Sequence, residues 1–325
     1  MGKSLAFLHG AMAVGFAEKL CDLCGQDWEF QCISDRDEWA RYARSVDVLI
    51  SPGYDKSYPN HSALKLLQLP LVGSEKVDFE AVPASAVVSN VDAHQTAVTE
   101  YVLMTMIASA RRLVTSSAGF MTGDWSDSSR TGGPLQREIH GSTLGILGYG
   151  RIGKQLAQSA SCLGVRVLVC NRTKPKPDSF YVQAFELDAL ADMANQCDFL
   201  VIACALSSQT KSIVNAEVLQ SLGPDGTLIN VSRGECVEEE ALFRACKEGL
   251  IAGAAIDTWY RYPTLEEPSP MPSRFSFQTL NNVIMTPHTS AWTLETIDRR
   301  VGQIAENLRR LAAGDPLLRV ICRNL

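Results

Sequence analysis

The chain has 325 residues, and about 150 residues per domain is the usual scale, so two domains are expected. Hydrophobic residues make up 46% of it and charged residues 20%, which excludes a disordered chain. Thirty basic against 36 acidic side chains, a net charge of −6, exclude a nucleic-acid binder that works through bulk positive charge. Residues 4–9, 28–33, 46–50 and 69–73 read as strands, with a helix over 15–23. A long helical stretch follows over 97–113, then a Ser/Gly-rich irregular segment over 119–141. The second half repeats the rhythm, with strands over 143–147, 165–170, 199–204, 227–231, 251–256 and 283–285. Its helices fall at 152–163, 187–196, 216–222 and 239–247. Residues 263–272 carry four prolines and cannot continue a helix or a central strand. An amphipathic helix over 294–312 ends the pattern. Continuous apolar strands separated by helices predict an α/β fold class with doubly wound parallel sheets.

Met1-Gly2-Lys3-Ser4-Leu5-Ala6 departs from a myristoylation pattern at Ala6, and the first apolar run is too short for a signal peptide. No apolar run reaches the roughly 18 residues of a membrane span. A cytoplasmic protein with no membrane partner is expected, its ten cysteines mostly free thiols. Cys21-x-x-Cys24 and Cys32 lack a fourth ligand nearby, so these residues are read as packing rather than as a metal site.

Gly148-Tyr149-Gly150-Arg151-Ile152-Gly153 follows a predicted strand and opens a predicted helix. In that context the three glycines serve a tight turn, close approach of the backbone to a pyrophosphate, and close helix–sheet contact. The helix N-terminus adds unsatisfied N–H groups and a positive dipole end. Gln155 stands where a nucleotide triphosphatase needs Ser or Thr, so a dinucleotide is the expected ligand. The next strand ends in Asn171-Arg172-Thr173-Lys174, with no acidic residue to hold a ribose 2′-hydroxyl. Arg172 and Lys174 suit a 2′-phosphate and Thr173 adds a donor, so NADP is expected over NAD.

From Leu144 through Gly153 the sequence resembles the nucleotide motif of the D-isomer-specific 2-hydroxyacid dehydrogenases. Three further motifs occur in that family's order: Asn230-Val231-Ser232-Arg233-Gly234, Gly253-Ala254-Ala255-Ile256-Asp257 and Thr286-Pro287-His288. The stretch from Asn90 to Glu100 resembles the family's helix leading into the nucleotide domain, and the resemblance extends from about residue 70 to the C-terminus. It implies a Rossmann nucleotide domain over 94–290, inserted into a flavodoxin-like substrate domain made of 1–93 and 291–325, with the active site in the cleft between them. It also implies a homodimer through the nucleotide domains. Arg233 is the expected catalytic arginine, His288 the catalytic acid and Asp257 a cofactor contact. Pro70 through Phe79 resembles the Gly-rich substrate loop, so Val72, Gly73 and Ser74 are expected to offer backbone N–H groups to a substrate carboxylate.

The chemistry agrees with the residue types. Reduction of a 2-oxo acid needs a carboxylate anchor, polarisation of the keto oxygen, a proton donor and a hydride donor. The planar fork of Arg233 suits the first two, and Arg233 is also counted as substrate-binding. A histidine side chain ordinarily titrates near neutrality, which suits His288 to the third. The family's carboxylate partner for this histidine is absent. Tyr262 occupies its position, with Glu266 and Glu267 as rivals from the Pro-rich loop. The expected function is an enzyme, an NADPH-dependent 2-oxo acid reductase acting on a small-molecule substrate. The alternatives are a dinucleotide-sensing binding protein, like the C-terminal-binding-protein corepressors, and a relative that oxidises another small anion, such as phosphite, with the same Arg233 and His288.

Overall fold

The computed structural model describes residues 3–33, 45–59, 63–264 and 266–323. Met1 and Gly2, read above for a lipidation pattern, lie outside them. The chain divides into two compact units, Met1–Ala93 with Leu294–Leu325, and His94–Thr293.

In the first unit β1 (Ser4–His9), β2 (Trp28–Ile33), β3 (Val48–Ile50), β4 (Leu66–Gln68) and β5 (Val87–Ser89) form a parallel sheet in the order 2-1-3-4-5. This is the flavodoxin-like winding. The strand Val320–Arg323 pairs antiparallel with β5 at the edge. Successive side chains point to opposite faces, so Leu8, Ile50 and Leu66 fill one core and Phe7, Leu49 and Leu67 the other. The helix Leu294–Ala313 covers the first of these with Val301, Ile304, Ala305 and Leu308.

Two expectations are corrected here. The strand expected over 69–73 lies at Leu66–Gln68, because Pro70 has no N–H to give a central strand. Gln68 hid it: a polar residue in the run, it is fully buried with its amide satisfied. Its Nε2 donates to Leu69 O and Ser89 O, and its Oε1 accepts from Asn307 Nδ2 at 2.8 Å. The helix Leu113–Met121 runs three residues into the segment expected to be irregular from residue 119.

The second unit holds seven parallel strands: β6 (Thr143–Leu147), β7 (Arg166–Cys170), β8 (Gln183–Phe185), β9 (Phe199–Ile202), β10 (Thr227–Asn230), β11 (Gly253–Ile256) and β12 (Val283–Met285). Their order is 12-11-10-9-6-7-8. The chain winds outward through β7 and β8, then returns to β9 beside β6. That reversal opens a crevice at the carboxyl ends of β6 and β9, where doubly wound sheets bind their ligands. Helix Gln95–Ala110 packs Val98, Val102 and Met106 on one face of the sheet. None of the described helices is long and apolar enough to cross a membrane.

Candidate active site

The Gly-rich turn leaves β6 at the crevice. Gly148 has φ +104°, a left-handed conformation that side chains rarely adopt. A Cβ there would lie 2.5 Å from Cys204 N, and one on Gly153 would lie 2.2 Å from Gly148 O. The turn is thus packed against the end of β9 on one side and against its own helix, Arg151–Cys162, on the other. Gly150 is the N-cap of that helix, and a Cβ there would meet open space. Among the described residues no side chain caps the helix, so its first N–H groups face outward beside a positive dipole end. A cavity of about 290 Å³ lies there, lined by Gly148, Gly150, Asn171, Arg172 and Thr173 on the β6–β7 side. This backbone cradle fits the pyrophosphate of a dinucleotide.

Of the other residues expected on the cofactor, Arg151, Ile152 and Gly153 lie in the first turn of the helix, and Lys174 is exposed two residues beyond Arg172. The far wall comes from a segment the sequence reading missed, Ala203–Thr210. The hydroxyl of Thr210 ties it together, accepting from Ser207 N at 2.7 Å and donating to Ala205 O at 2.7 Å. The only sequence signal was Ser207-x-x-Thr210, a spacing common in turns.

Arg233 follows β10 with φ −141° and ψ 144°. Its Nη1 donates to Ser232 O at 2.8 Å, and Asn230 Nδ2 donates to Arg233 O at 3.0 Å, so strand end and arginine are braced together. Gly234 permits a close approach, because a Cβ there would lie 2.5 Å from Trp259 O. Thus Arg233 is packed beside the segment that carries Tyr262.

The histidine loop is built around one carboxylate. Asp257, at the end of β11, is fully buried. Its Oδ1 accepts from Thr286 Oγ1 at 2.6 Å and Thr289 N at 2.8 Å, and its Oδ2 accepts from Ser290 N at 2.9 Å. Tyr101 OH lies 2.6 Å from Thr286 Oγ1. Burial pushes the Tyr101 phenol up to about 12, so at neutral pH it keeps its proton and donates along the chain Tyr101→Thr286→Asp257. Trp259 Nε1 donates to Thr286 O at 2.8 Å, and His288 N closes a tight turn over Pro287 onto Thr286 O at 3.0 Å. The turn sets His288 at φ +58°, a strained conformation for a residue with a side chain. Asp257 was expected on the cofactor. Both its oxygens are bonded to residues 286–290, so it also holds the loop that displays His288.

Tyr262 OH lies 2.9 Å from His288 Nδ1 and accepts from Trp259 N at 3.1 Å. Burial raises the Tyr262 phenol above its ordinary range and the positive charge of Arg233 acts on it in the opposite sense, so the phenol is neutral at physiological pH. Arg233, Tyr262 and His288 therefore form one group. Glu267, one of the rival partners, is paired with Arg261 at 2.7 Å.

Val72, Gly73 and Ser74 lie in the loop after β4 of the first unit. Asn90 Nδ2 donates to Val72 O at 2.7 Å, and Val77 N closes a turn onto Ser74 O. Cys24 Sγ donates to Leu20 O within its helix, and among the described residues no group of three His, Cys, Asp or Glu could hold a metal.

A phosphate cradle at the reversal of a seven-stranded parallel sheet, with an arginine after β10 and an oriented histidine after β12, defines a dinucleotide-dependent oxidoreductase. Comparison with known proteins gives the family. The profile of the "D-isomer specific 2-hydroxyacid dehydrogenase, NAD binding domain" matches residues 103–290. The glyoxylate reductase of Thermococcus gammatolerans is 30% identical over 281 residues, 84% of this chain and 81% of that protein. That of Thermococcus litoralis is 31% identical over 281 residues, 84% of this chain and 82% of the other. Among solved structures, a 2-hydroxyacid dehydrogenase from Ketogulonicigenium vulgare superposes with a TM-score of 0.83 at 26% identity, covering 99% of both chains. An NADPH-dependent glyoxylate/hydroxypyruvate reductase from Sinorhizobium meliloti, in complex with NADP and malonate, superposes at 0.80 and 25% identity, covering 99% of this chain and 98% of that one. The chain belongs to the D-isomer-specific 2-hydroxyacid dehydrogenase family, and it is an enzyme of hydride transfer between a nicotinamide dinucleotide and a 2-oxo acid.

Proposed function

We propose that this protein is an NADPH-dependent reductase of small 2-oxo acids, working in the cytoplasm as a homodimer. The observation that carries the reading is the 2.9 Å contact between Tyr262 and His288 beside Arg233, on a loop held by Asp257. Arg233 takes the substrate carboxylate and the keto oxygen with its planar fork of donors. His288, its Nδ1 held by Tyr262, gives a proton from Nε2 to the keto oxygen. NADPH, when bound, supplies the hydride. Gly148, Gly150, Arg151, Ile152 and Gly153 hold the pyrophosphate at the helix N-terminus, and Asn171 steadies the adjoining loop. Arg172, Thr173 and Lys174 read the 2′-phosphate, where an acidic residue would repel it. Val72, Gly73 and Ser74 offer backbone N–H groups to the substrate carboxylate.

The names of the relatives support glyoxylate or hydroxypyruvate as substrate, and the Sinorhizobium enzyme supports NADPH as cofactor. The homodimer is supported by exposed apolar side chains between residues 104 and 135, among them Met104, Phe120, Met121, Trp125 and Leu135. Sedimentation at micromolar concentration tests it. The decisive experiment for function is a screen of 2-oxo acids with NADPH and NADH, followed at the reduced-nicotinamide absorbance. Steady oxidation of NADPH, faster than of NADH and lost in Arg233→Ala, is expected. Tight dinucleotide binding without turnover of any 2-oxo acid would instead support the sensing protein.

A further inference from the structure

The residue between the first two glycines of the motif has a second task. Tyr149 is buried, but its hydroxyl reaches outward and donates to Asp178 Oδ2 at 2.7 Å. Its backbone N–H points to Asn171 Oδ1 at 3.5 Å. Asn171 and Asp178 flank the basic stretch of the segment between β7 and β8. That segment holds Arg172, Lys174 and Lys176, and Asp178 is its single acidic residue. One residue of the pyrophosphate turn thus grips both ends of the basic loop.

Other contacts fix the loop between these grips. Asn171 Nδ2 donates to Thr173 O at 3.1 Å, and Tyr181 OH donates to Pro175 O at 3.1 Å. Phe180 N donates to Asp178 Oδ1 at 2.9 Å, a turn that aims the carboxylate at Tyr149. The rings of Tyr149 and Tyr181 meet edge to face at 5.2 Å, and Lys154 Nζ stands 5.9 Å from the centre of the Tyr149 ring. Pro175 and Pro177 stiffen the chain further.

We infer that the Tyr149–Asp178 clasp pre-orders the loop carrying Arg172 and Lys174, making Tyr149 and Asp178 positioning residues for selection between the two nicotinamide dinucleotides. The inference rests on the reading of the loop as a 2′-phosphate site. Its physical content is that a loop already ordered loses less freedom when its bases engage the phosphate. The pyrophosphate is held by backbone N–H groups that the clasp does not touch, so NADH feels little change. Asp178 brings a negative charge near the phosphate site, and the structure spends that charge on a tyrosine hydroxyl rather than leaving it to repel the ligand.

The test is direct titration of NADPH and NADH into Tyr149→Phe, Asp178→Ala, Asp178→Asn, the Tyr149→Phe/Asp178→Ala double variant and Arg172→Ala, each checked by thermal unfolding. Loss of one hydrogen bond should weaken NADPH binding by about five- to tenfold in Tyr149→Phe and in Asp178→Ala, with NADH within about twofold of the parent. The double variant should be no weaker than either single one, because both remove the same contact. Asp178→Asn keeps an oxygen for the phenol and removes the charge, so it should bind NADPH at least as well as the parent. Equal losses for both dinucleotides, or independent losses in the double variant, would overturn the clasp. Arg172→Ala separates the two ideas. If it loses NADPH selectively while Tyr149→Phe does not, the clasp alone is wrong; if neither variant discriminates, the phosphate reading fails as well.

Discussion

Replacing Tyr262 by glutamate should carry reductase activity to higher pH. The proton donor in reduction is imidazolium, so the rate falls as pH rises through the pKa of His288. The phenol beside Nδ1 carries no charge at physiological pH. It orients the ring but adds no charge. A glutamate side chain ends roughly 2 Å short of the phenol oxygen, which puts a carboxylate about 5 Å from the ring nitrogen. At that separation the attraction is ~0.8 kcal/mol in bulk water and ~3 kcal/mol at the effective dielectric of a protein surface. Tyr262 is 43% exposed and His288 is exposed, so water screens the pair and the lower half of that range applies. About 1.4 kcal/mol corresponds to one pKa unit. The carboxylate favours the protonated ring, which raises its pKa, and the alkaline limb of kcat/KM should move up by about one unit. The assay is the pH dependence of kcat/KM for the best 2-oxo acid at saturating NADPH, for the parent, Tyr262→Glu and Tyr262→Phe. Tyr262→Phe should leave the limb near the parent's position and lower the rate about five- to tenfold through lost orientation. An unmoved limb in Tyr262→Glu would refute the assignment of Tyr262 as the partner of the titrating group. So would a parent profile that responds to charge removal at Glu266 and Glu267 but not to either Tyr262 variant.

Three further outcomes follow from the same geometry. His288→Ala should lower kcat by about 10²–10⁴-fold while NADPH still binds in a fluorescence titration, and near-parental turnover would remove it from proton transfer. Gly153→Ala forces a Cβ onto Gly148 O, so urea unfolding should show a loss of about 1–3 kcal/mol, with weaker binding of both dinucleotides; unchanged stability would mean that the helix can retreat freely. Asp257→Asn turns a donor toward Thr289 N–H or Ser290 N–H, leaving one of them without an acceptor, at a cost of about 1–3 kcal/mol. The amides of Thr289 and Ser290 should then exchange faster with deuterium as turnover falls, and unchanged protection would show that the loop is held by other means.

The parts of the molecule legible in the sequence were those in which one local pattern serves one physical need. The Gly148–Gly153 spacing is such a pattern, since Gly148 and Gly153 each answer a steric demand met within the same turn and its neighbours. Strands β1, β6 and β12 were legible in full because apolar runs mark them, and β2 because apolar and polar residues alternate along it. Strand β4 was not, because Gln68 is stabilised in the core by Asn307, 239 residues away, and no local rule registers that partner. The short edge strands Gln183–Phe185 and Val320–Arg323 owe their form to the strands they join rather than to their own composition. In the site, the substitution of Tyr262 for a carboxylate was visible in the sequence. That Asp257 turns its carboxylate to residues 286–290, and that Ala203–Thr210 walls the cavity, depends on contacts that only the fold creates.

The first unit is assembled from both ends of the chain, and this has a consequence for the order in which the protein can be made. A ribosome releases residues 1–93 first, but their sheet then lacks the helix Leu294–Ala313 over one face and the antiparallel strand beside β5. Residues 94–293 form an uninterrupted unit that can close as soon as they emerge. The strands of the first unit therefore wait, with Leu8, Ile50 and Leu66 covered only in part, by Phe16 and Leu20 among others, until residues 294–323 arrive. During that interval the nascent chain presents an open apolar face and an unpaired strand edge, the features that draw chaperones and that favour exchange of the C-terminal helix between neighbouring chains.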